Sequence, residues 1–366
     1  MRLFLCGDVM TGRGIDQILE HPISPEIHEP YVRDARDYVT LAEEVSGPIP
    51  RVVGPTYIWG DALVELDRVA PHTRIINLET SVTRSGNHWK GKGINYRMHP
   101  ANIACLTMAR IDVCTLANNH VLDYGYEGLE ETLETLTAVG VQVTGAGRNV
   151  MDARKPAIVN LERSRLLVWS VATESSGVPA VWAATAERPG IDFLDSLSDR
   201  AADALADRFV GIKQSGDVGL VSIHWGSNWG YDVPQTHINF AHRLIDRGVD
   251  IVHGHSSHHP RPIEVYRNKL VLYGCGDFLN DYEGISGYEQ YRDDLVLMYF
   301  ATIDPQTGRL LALRLVPQRL QKLKLNRSSA SEAEWLRDRA NEYSAVFGSN
   351  MTLLPDNSLA VRWTCR

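Results

Sequence analysis

The sequence has no long apolar stretch. No segment reaches the roughly 18 uninterrupted apolar residues that are needed to cross a membrane. Only a few apolar residues precede the turn at Asp8, too few for the apolar core of a secretion signal. We therefore expect a cytoplasmic protein with no membrane partner.

Cysteines are few and lack the spacing of a metal or redox motif. The chain has 5 of them, an odd number with no Cys-x-x-Cys pair. Most lie in or beside apolar strand-like runs, which favours buried free thiols in a reducing compartment. They are Cys6, Cys105, Cys114, Cys275 and Cys365.

An excess of positive charge is also missing. The chain carries 37 Lys and Arg against 45 Asp and Glu, for a formal net charge of −8. This balance provides no broad cationic surface and disfavours nucleic acid as a partner. It leaves room for a local basic pocket that binds a small acidic substrate. The sequence does not determine the oligomeric state.

What the sequence does contain is ample apolar material in short runs. Hydrophobic residues make up 44% of the 366 positions, which is sufficient for a large core. Strand-like apolar runs end at Asp8, Glu79, Asn119, His224 and His255, and helical periodicity covers residues 128–139 and 235–247. This alternation predicts an α/β fold around a mostly parallel or mixed buried sheet.

Two segments depart from the alternation. Residues 22–60 contain 6 prolines among many charges, which predicts an insertion that could cap the edge of the sheet. From about residue 328 we expect one amphipathic helix, roughly 331–346, and then an irregular tail. The predicted organisation is a main domain over residues 1–327 and a C-terminal helical extension over residues 328–366.

Polar side chains follow the predicted strands, at the ends where α/β sheets bind their ligands. Imidazole, carboxylate and amide groups together suit Zn²⁺, Mn²⁺ or Fe²⁺. Each residue alone fits a turn or a helix cap equally well, but their joint occurrence predicts a hydrolytic site for divalent metal ions, two of them in the fullest case. The candidate ligands are Asp8, Glu79, Asn119, His224, His255 and His258.

A series of motifs runs in order through about residues 1–300. They are Gly7-Asp8-Val9-Met10, Asn77-Leu78-Glu79, Ala117-Asn118-Asn119-His120, Ile223-His224-Trp225-Gly226, Gly254-His255-Ser256-Ser257-His258, Ile263-Glu264-Val265-Tyr266 and Leu272-Tyr273-Gly274-Cys275-Gly276-Asp277-Phe278. The series resembles the CapA family, the poly-γ-glutamate capsule-synthesis proteins within the calcineurin-like metallophosphoesterase superfamily. The resemblance implies a four-layer α-β-β-α sandwich with its site at the carboxyl ends of the strands.

The resemblance also implies a role for each candidate residue. Glu79 would bridge two metals, and His120 would protonate the leaving group. One metal would be completed by Asp8 with His258, the other by Asn119, His224 and His255. Met10 stands where the superfamily's first motif has a histidine, so a weakly held metal or a mononuclear site is an alternative.

Several assignments stay open at this point. His120 could instead hydrogen-bond Asn119 as support. Lys92 and Arg97, in the glycine-rich segment after Glu79, and Arg261 are candidates to bind a substrate carboxylate or phosphate. The alternative for the Lys92 segment is a solvated surface loop. His253 and His259 flank the ligand pair and are left out of the ligand set.

The predicted function is hydrolysis or transfer at an ester or amide bond of a small acidic substrate, such as a phosphoester or a γ-glutamyl compound. The alternative is a non-catalytic accessory protein of poly-γ-glutamate or capsule biosynthesis that binds an acidic polymer. Five of the six expected donors, the acid histidine and intact glycine-rich turns favour the enzyme.

Overall fold

The computed structural model describes residues 1–364. Within them lie the strands β1 (Arg2–Val9), β2 (Thr73–Leu78), β3 (Ser81–Val82), β4 (Arg97–Met98), β5 (Val113–Thr115), β6 (Gln142–Thr144), β7 (Ala146–Gly147), β8 (Ala157–Leu161), β9 (Ser164–Thr173), β10 (Gly190–Ile191), β11 (Phe193–Leu194), β12 (Val218–His224), β13 (Ile251–His255), β14 (Ile263–Tyr266), β15 (Lys269–Leu272), β16 (Asp277–Leu279), β17 (Leu295–Ile303), β18 (Leu310–Leu320), β19 (Leu325–Arg327), β20 (Ser349–Leu353) and β21 (Leu359–Trp363).

The same residues form the helices α1 (Arg13–Ile18), α2 (Arg36–Ser46), α3 (Asp61–Val69), α4 (Ala104–Met108), α5 (Gly125–Ala138), α6 (Val150–Ala153), α7 (Asp199–Val210), α8 (Gln235–Asp246) and α9 (Ala330–Ser344). The predicted helices over residues 128–139 and 235–247 are α5 and α8, so both are confirmed.

The first large sheet has the order β20-β21-β18-β17-β1-β2-β5-β6, with β16 beside β1 and β19 beside β18. Its centre is parallel, from β1 through β2 and β5 to β6. Its other half is antiparallel, from β1 through β17 to β18. Strand β1 is buried over seven of its eight residues because both faces of the sheet are covered there, which explains its continuous apolar run.

The second large sheet has the order β11-β9-β12-β13-β15-β14, with β8 beside β9. Strands β9, β12, β13 and β15 are parallel, so their carboxyl ends lie at one edge. The register between β12 and β13 places His224 directly opposite His255. This pairing brings two candidate ligands together.

The two sheets share one buried cluster, in which Leu3 and Leu297 of the first sheet lie with Leu220 and Ile251 of the second. A second cluster joins the opposite face of the first sheet to α3 and α5. A third joins the second sheet to α7 and α8. The chain is therefore a mixed α/β protein with large sheets, as the sequence predicts.

The segment 22–60 contains α2 and packs close to the sheet edge that carries the candidate ligands. Arg13 forms an ion pair with Glu29 of this segment, and Ser46 hydrogen-bonds Glu283. Tyr38 of α2 lines the pocket described below. That the segment is an insertion stays a prediction.

The C-terminal region differs from expectation in one respect. Helix α9 agrees with the predicted helix, but the residues beyond it are not irregular. Strands β20 and β21 form a hairpin, and β21 pairs with β18 of the first sheet. The expectation of an irregular tail was wrong, since these short strands acquire their order from a partner about 45 residues earlier in the chain. The division at residue 327 stays a prediction.

Among residues 1–364, none of the helices combines the length and the apolar character required to span a bilayer. Cys6, Cys105, Cys114 and Cys275 are buried free thiols, as predicted. Cys365 lies outside the described residues.

Candidate metal centre

Strand ends bring most of the predicted ligands to one place. Asp8 lies near the end of β1, and Glu79 directly follows β2. His224 and His255 are the last residues of β12 and β13. All four side chains are buried. Parallel strands that end together within each sheet, and the packing of the two sheets on one another, therefore assemble donors that are far apart in sequence.

The first cluster consists of Asp8, His224 and His255, whose donor atoms all lie within 4.8 Å of one another. His224 Nδ1 is 2.7 Å from His255 Nδ1. Asp8 Oδ1 is 3.5 Å from His255 Nδ1 and 3.9 Å from His224 Nδ1. Two imidazole nitrogens and a carboxylate thus converge on one point.

A chain of hydrogen bonds behind this cluster determines the tautomer of His255. The Cys6 carbonyl only accepts, so His253 Nε2, at 2.7 Å, carries a proton and His253 Nδ1 is an acceptor. The Ser222 hydroxyl has its own acceptors in His253 Nδ1, at 3.2 Å, and Thr115 Oγ1, at 3.3 Å. Ser222 Oγ then accepts the Nε2 proton of His255 at 2.7 Å. His255 Nδ1 is left unprotonated and faces the cluster.

His224 is oriented in the same way by Asn119. Asn119 Oδ1 lies 3.0 Å from His224 Nε2 and accepts its proton, so His224 Nδ1 also presents a lone pair. Two lone pairs 2.7 Å apart beside a carboxylate repel one another unless a cation lies between them. Burial lowers the pKa of both imidazoles well below the usual value. A second proton on one of the rings is therefore disfavoured and does not supply the positive charge. The donor set therefore fits a divalent metal.

The second cluster is formed by the carboxylates of Asp8, Glu79 and Asp277, again within 4.8 Å of one another. Burial, and then the charge of Asp277, raises the pKa of Asp8 to about 8. Burial and the charge of Asp8 raise the pKa of Glu79 well above its usual value. Three buried carboxylates this close are costly without a cation. Asp8 belongs to both clusters, whereas the sequence predicts Glu79 as the shared ligand.

His258 reaches this second cluster through Asp277. Its Nδ1 lies 3.0 Å from both oxygens of Asp277. Burial lowers the pKa of His258, but the neighbouring Asp277 outweighs it and the net pKa is raised. A histidine that donates Nδ1–H to a carboxylate can bind a metal ion through Nε2. The role of His258 as a ligand stays a prediction.

Asp277 is a site residue that the ligand prediction missed. It pairs in register with Asp8 through β16 and β1. The sequence offers an indication, because Gly276-Asp277 repeats the Gly7-Asp8 pattern. Met10, by contrast, brings no donor to the clusters, since its sulfur accepts the backbone N–H of Gly12 at 3.1 Å.

His120 lies beside the carboxylate cluster with its two nitrogens in different surroundings. Nε2 is 3.8 Å from Glu79 Oε1. Nδ1 is 2.6 Å from Asp123 Oδ2 and 2.9 Å from Lys92 Nζ. The ring stacks on Tyr96 with centroids 3.8 Å apart. Burial lowers the pKa of His120 to about 4, so it is a neutral imidazole that donates to Asp123. Asp123 is the second residue that the sequence reasoning missed.

The clusters open into a pocket of about 480 Å³. Glu79, Lys92, His120, His224 and His258 lie at its polar end. Around its mouth are Trp229, Ile94, Ile285 and Tyr288, the last three between 40% and 44% exposed. The pocket is thus polar at the candidate metal ligands and apolar at the entrance.

Of the three predicted substrate-binding cations, the structure brings only Lys92 to this pocket, where it is paired with Asp123. Arg97 donates to the carbonyls of Ser85 and Ser24. Arg261 donates to the carbonyl and the hydroxyl of Ser227. Both guanidinium groups thus donate hydrogen bonds to neighbouring serine residues, and neither lines the pocket.

Comparisons with known proteins agree with this arrangement of motifs. Residues 2–282 match the family model described as "Bacterial capsule synthesis protein PGA_cap". A Mycobacterium tuberculosis protein named "Probable polyglutamine synthesis accessory protein" is 48% identical over 98% of this chain and 95% of its own. The "PGA biosynthesis protein CapA" of Bacillus subtilis is 27% identical over 61% of this chain and 56% of its own. The resemblance to the CapA family is confirmed, and the chain belongs to the family of bacterial capsule synthesis proteins.

Proposed function

We propose that this protein is a metal-dependent hydrolase or transferase acting on an ester or amide bond of a small acidic substrate. The observation that carries the proposal is the approach of His224 Nδ1 to within 2.7 Å of His255 Nδ1 beside Asp8. Ser222 and Asn119 lie within hydrogen-bond distance of the two Nε2 atoms, and histidines held in this way through one nitrogen present the other to a metal. A phosphoester or a γ-glutamyl amide is the substrate class that we favour.

The fold supports the same proposal. Two sheets that share a core, each with helices on its other face, are what the four-layer metallophosphoesterase sandwich requires. We propose this architecture for the chain. The candidate site then lies at the carboxyl ends of the strands, where that superfamily has its metals.

The presence of two overlapping clusters supports the proposal that the protein binds two divalent ions, which would be Mn²⁺, Zn²⁺ or Fe²⁺. His224, His255 and Asp8 would hold one. Asp8, Glu79 and Asp277 would hold the other, with His258 beside them. In this proposal the Asp277 carboxylate takes the place of the histidine ligand that the superfamily has at the position of Met10. When bound, such ions polarise the reacting bond and activate water for attack.

The protein's own residues would position the substrate and transfer protons. His120 is neutral and presents Nε2 on the Glu79 side of the pocket. It would accept the proton that the attacking water releases and pass it to the leaving group. Asp123 accepts from Nδ1 and keeps the ring in this tautomer. Tyr96, stacked on the ring, prevents it from tilting.

A second candidate function is non-catalytic. The relatives are named for polyglutamine synthesis and PGA biosynthesis, one of them as an accessory protein. These names favour a protein that binds an acidic polymer without turning it over.

Metal content and turnover distinguish these candidates. After exposure to Mn²⁺, Zn²⁺ or Fe²⁺, elemental analysis should give about two ions per chain, and His255→Ala should lose at least one of them. His120→Ala should keep its metal yet lose hydrolysis of an aryl phosphodiester or a γ-glutamyl anilide by roughly a hundredfold or more.

The matched control is His242→Ala, which removes a histidine paired with Glu264 outside the clusters and should change neither measurement. Absence of bound metal under every condition would reject the hydrolase and leave the accessory protein. Full activity of His120→Ala would reject the assigned proton transfer while leaving the metal centre in place.

A further inference from the structure

A second cavity, of about 680 Å³, lies on the outer face of the first sheet. Its floor is formed by β1, β17, β18 and β21, and the C-terminal end of α3 lies along one side. Ala312 and Ala360 contribute only small side chains there. The result is an open groove between the end of α3 and the β21 hairpin, which we call the arginine groove.

The arginine groove is separate from the candidate metal centre. Arg2, one of its lining residues, lies at the opposite end of β1 from Asp8. At about 3.3 Å per residue along a strand, six residues separate them by roughly 20 Å. A ligand in the groove therefore does not contact the metal ligands.

Among residues 1–364, four guanidinium groups and no acidic side chain line the groove. They belong to Arg2, Arg68, Arg314 and Arg362. This concentration is unusual in a chain whose net charge is −8. Arg362 is exposed, and its side chain makes no hydrogen bond or ion pair within residues 1–364.

The other three arginines keep donors available. Arg2 uses Nη1 to cap α3 at the Val69 carbonyl, 2.7 Å away. Arg314 contacts Asp356 at the rim through Nη2, and its Nε has no partner in the described part of the chain. Arg68 is held by Glu65 and lies 3.9 Å from Asp356. Each guanidinium has five N–H donors, so an incoming anion still finds several of them.

We propose that the arginine groove binds an extended polypeptide-like chain that carries carboxylates. Guanidinium groups pair with carboxylates in a bidentate geometry. The apolar floor formed by Phe300, Ala312 and Ala360 suits the methylene groups of such a chain. The proposal does not depend on the proposed hydrolase, because the groove shares no residue with the metal clusters.

Other polyanions fit less well. Single-stranded nucleic acid needs exposed aromatic faces on which its bases can stack. Phe300 on the floor is only 3% exposed, and Trp363 packs against the core between the two sheets. A duplex needs a basic surface long enough to follow its phosphates, which the net charge of −8 opposes. A membrane surface is met by protruding side chains, and the groove is concave.

The test is binding of a fluorescent oligoglutamate peptide, followed by anisotropy at low salt. The full chain should bind it, and Arg362→Glu should weaken binding by about tenfold or more, since reversing a charge in the groove repels the carboxylates. Arg163→Glu is the matched control, because Arg163 is an exposed arginine in the β8–β9 turn and its reversal changes the net charge equally.

The peptide could also enter the metal centre, so binding is repeated with metal-free His255→Ala protein. Unchanged affinity there supports the groove, whereas loss of binding there places the peptide at the metal centre and overturns the proposal. Equal weakening by Arg163→Glu and Arg362→Glu would overturn it as well. Tighter binding of a DNA oligomer or of anionic vesicles, lost in Arg362→Glu, would reject the ligand class.

Discussion

At the scale of single residues, the candidate metal centre depends on side chains that do not touch the metal position. Ser222 relays one hydrogen bond from His253 to His255, and Asn119 accepts the proton of His224. These partners determine which ring nitrogen is unprotonated. Asn119 is a predicted ligand, but its oxygen is already used by His224 in this arrangement.

Replacing Ser222 should therefore weaken metal binding without removing a ligand. In Ser222→Ala the Nε2 proton of His255 loses its acceptor, so the tautomer with Nδ1 unprotonated is no longer favoured. We expect metal affinity to fall about 10- to 100-fold, measured by competition with a chelating dye.

Ser170→Ala is a suitable comparison, because its hydroxyl is buried in the neighbouring strand β9 and accepts only from the backbone of Ala117. If both variants lose the same affinity, general loosening of the sheet is the cause and the tautomer has no special role.

At the scale of elements, the carboxyl end of β1 is the point where the candidate centre is assembled. The register of β1 with β2 shifts between Leu5 and Asp8, and its register with β16 shifts directly after Asp8. Such irregularities re-aim side chains next to active sites. Here they turn Asp8 toward both ligand clusters.

Gly7 allows this close approach. A Cβ at Gly7 would lie 1.5 Å from the carbonyl oxygen of Gly276, and backbone cannot move aside as a flexible side chain does. We expect Gly7→Ala to lower the free energy of unfolding by about 3 kcal/mol or more and to separate Asp8 from Asp277, which reduces metal content. Urea unfolding and elemental analysis measure the two effects.

Gly54→Ala is the control for this change, since nothing lies within 4 Å of a Cβ there. A Gly7→Ala protein with unchanged stability and metal content would show that β1 and β16 are not held together as described.

At the scale of the whole molecule, the buried carboxylates link folding, metal binding and pH. The pKa of Asp8 is raised to about 8 from 3.8, so folded metal-free protein binds more protons than unfolded protein across that range. Stability must then fall as pH rises toward 8. The histidines whose pKa is lowered make stability rise with pH instead, but only below the ordinary histidine pKa of about 6.5.

Between about pH 6.5 and 8, therefore, the melting temperature of the metal-free protein should fall as the pH rises. The metal-loaded protein should not show this decrease, because the cation replaces the proton, and its metal affinity should increase over the same interval. Thermal unfolding with and without Mn²⁺ measures both. Asp8→Asn, which cannot ionise, should have a flatter profile, and an unchanged slope in that variant would assign the effect to other groups.

The α/β class, the family and most of the donors around the two clusters were predictable from the sequence, because each donor directly follows an apolar run and parallel strands of one sheet end at a common edge. His224 and His255 lie opposite each other for this reason. The packing of one sheet on the other and the pairing of distant strands were visible only in the folded chain: they place Asp8 beside both histidines, Asp277 opposite Asp8, and the β20–β21 hairpin against β18. Loop conformation likewise places Asp123 against His120 and directs Arg97 and Arg261 to serine oxygens. Periodicity describes which face of a strand is buried, but it carries no information about which distant strand lies beside it.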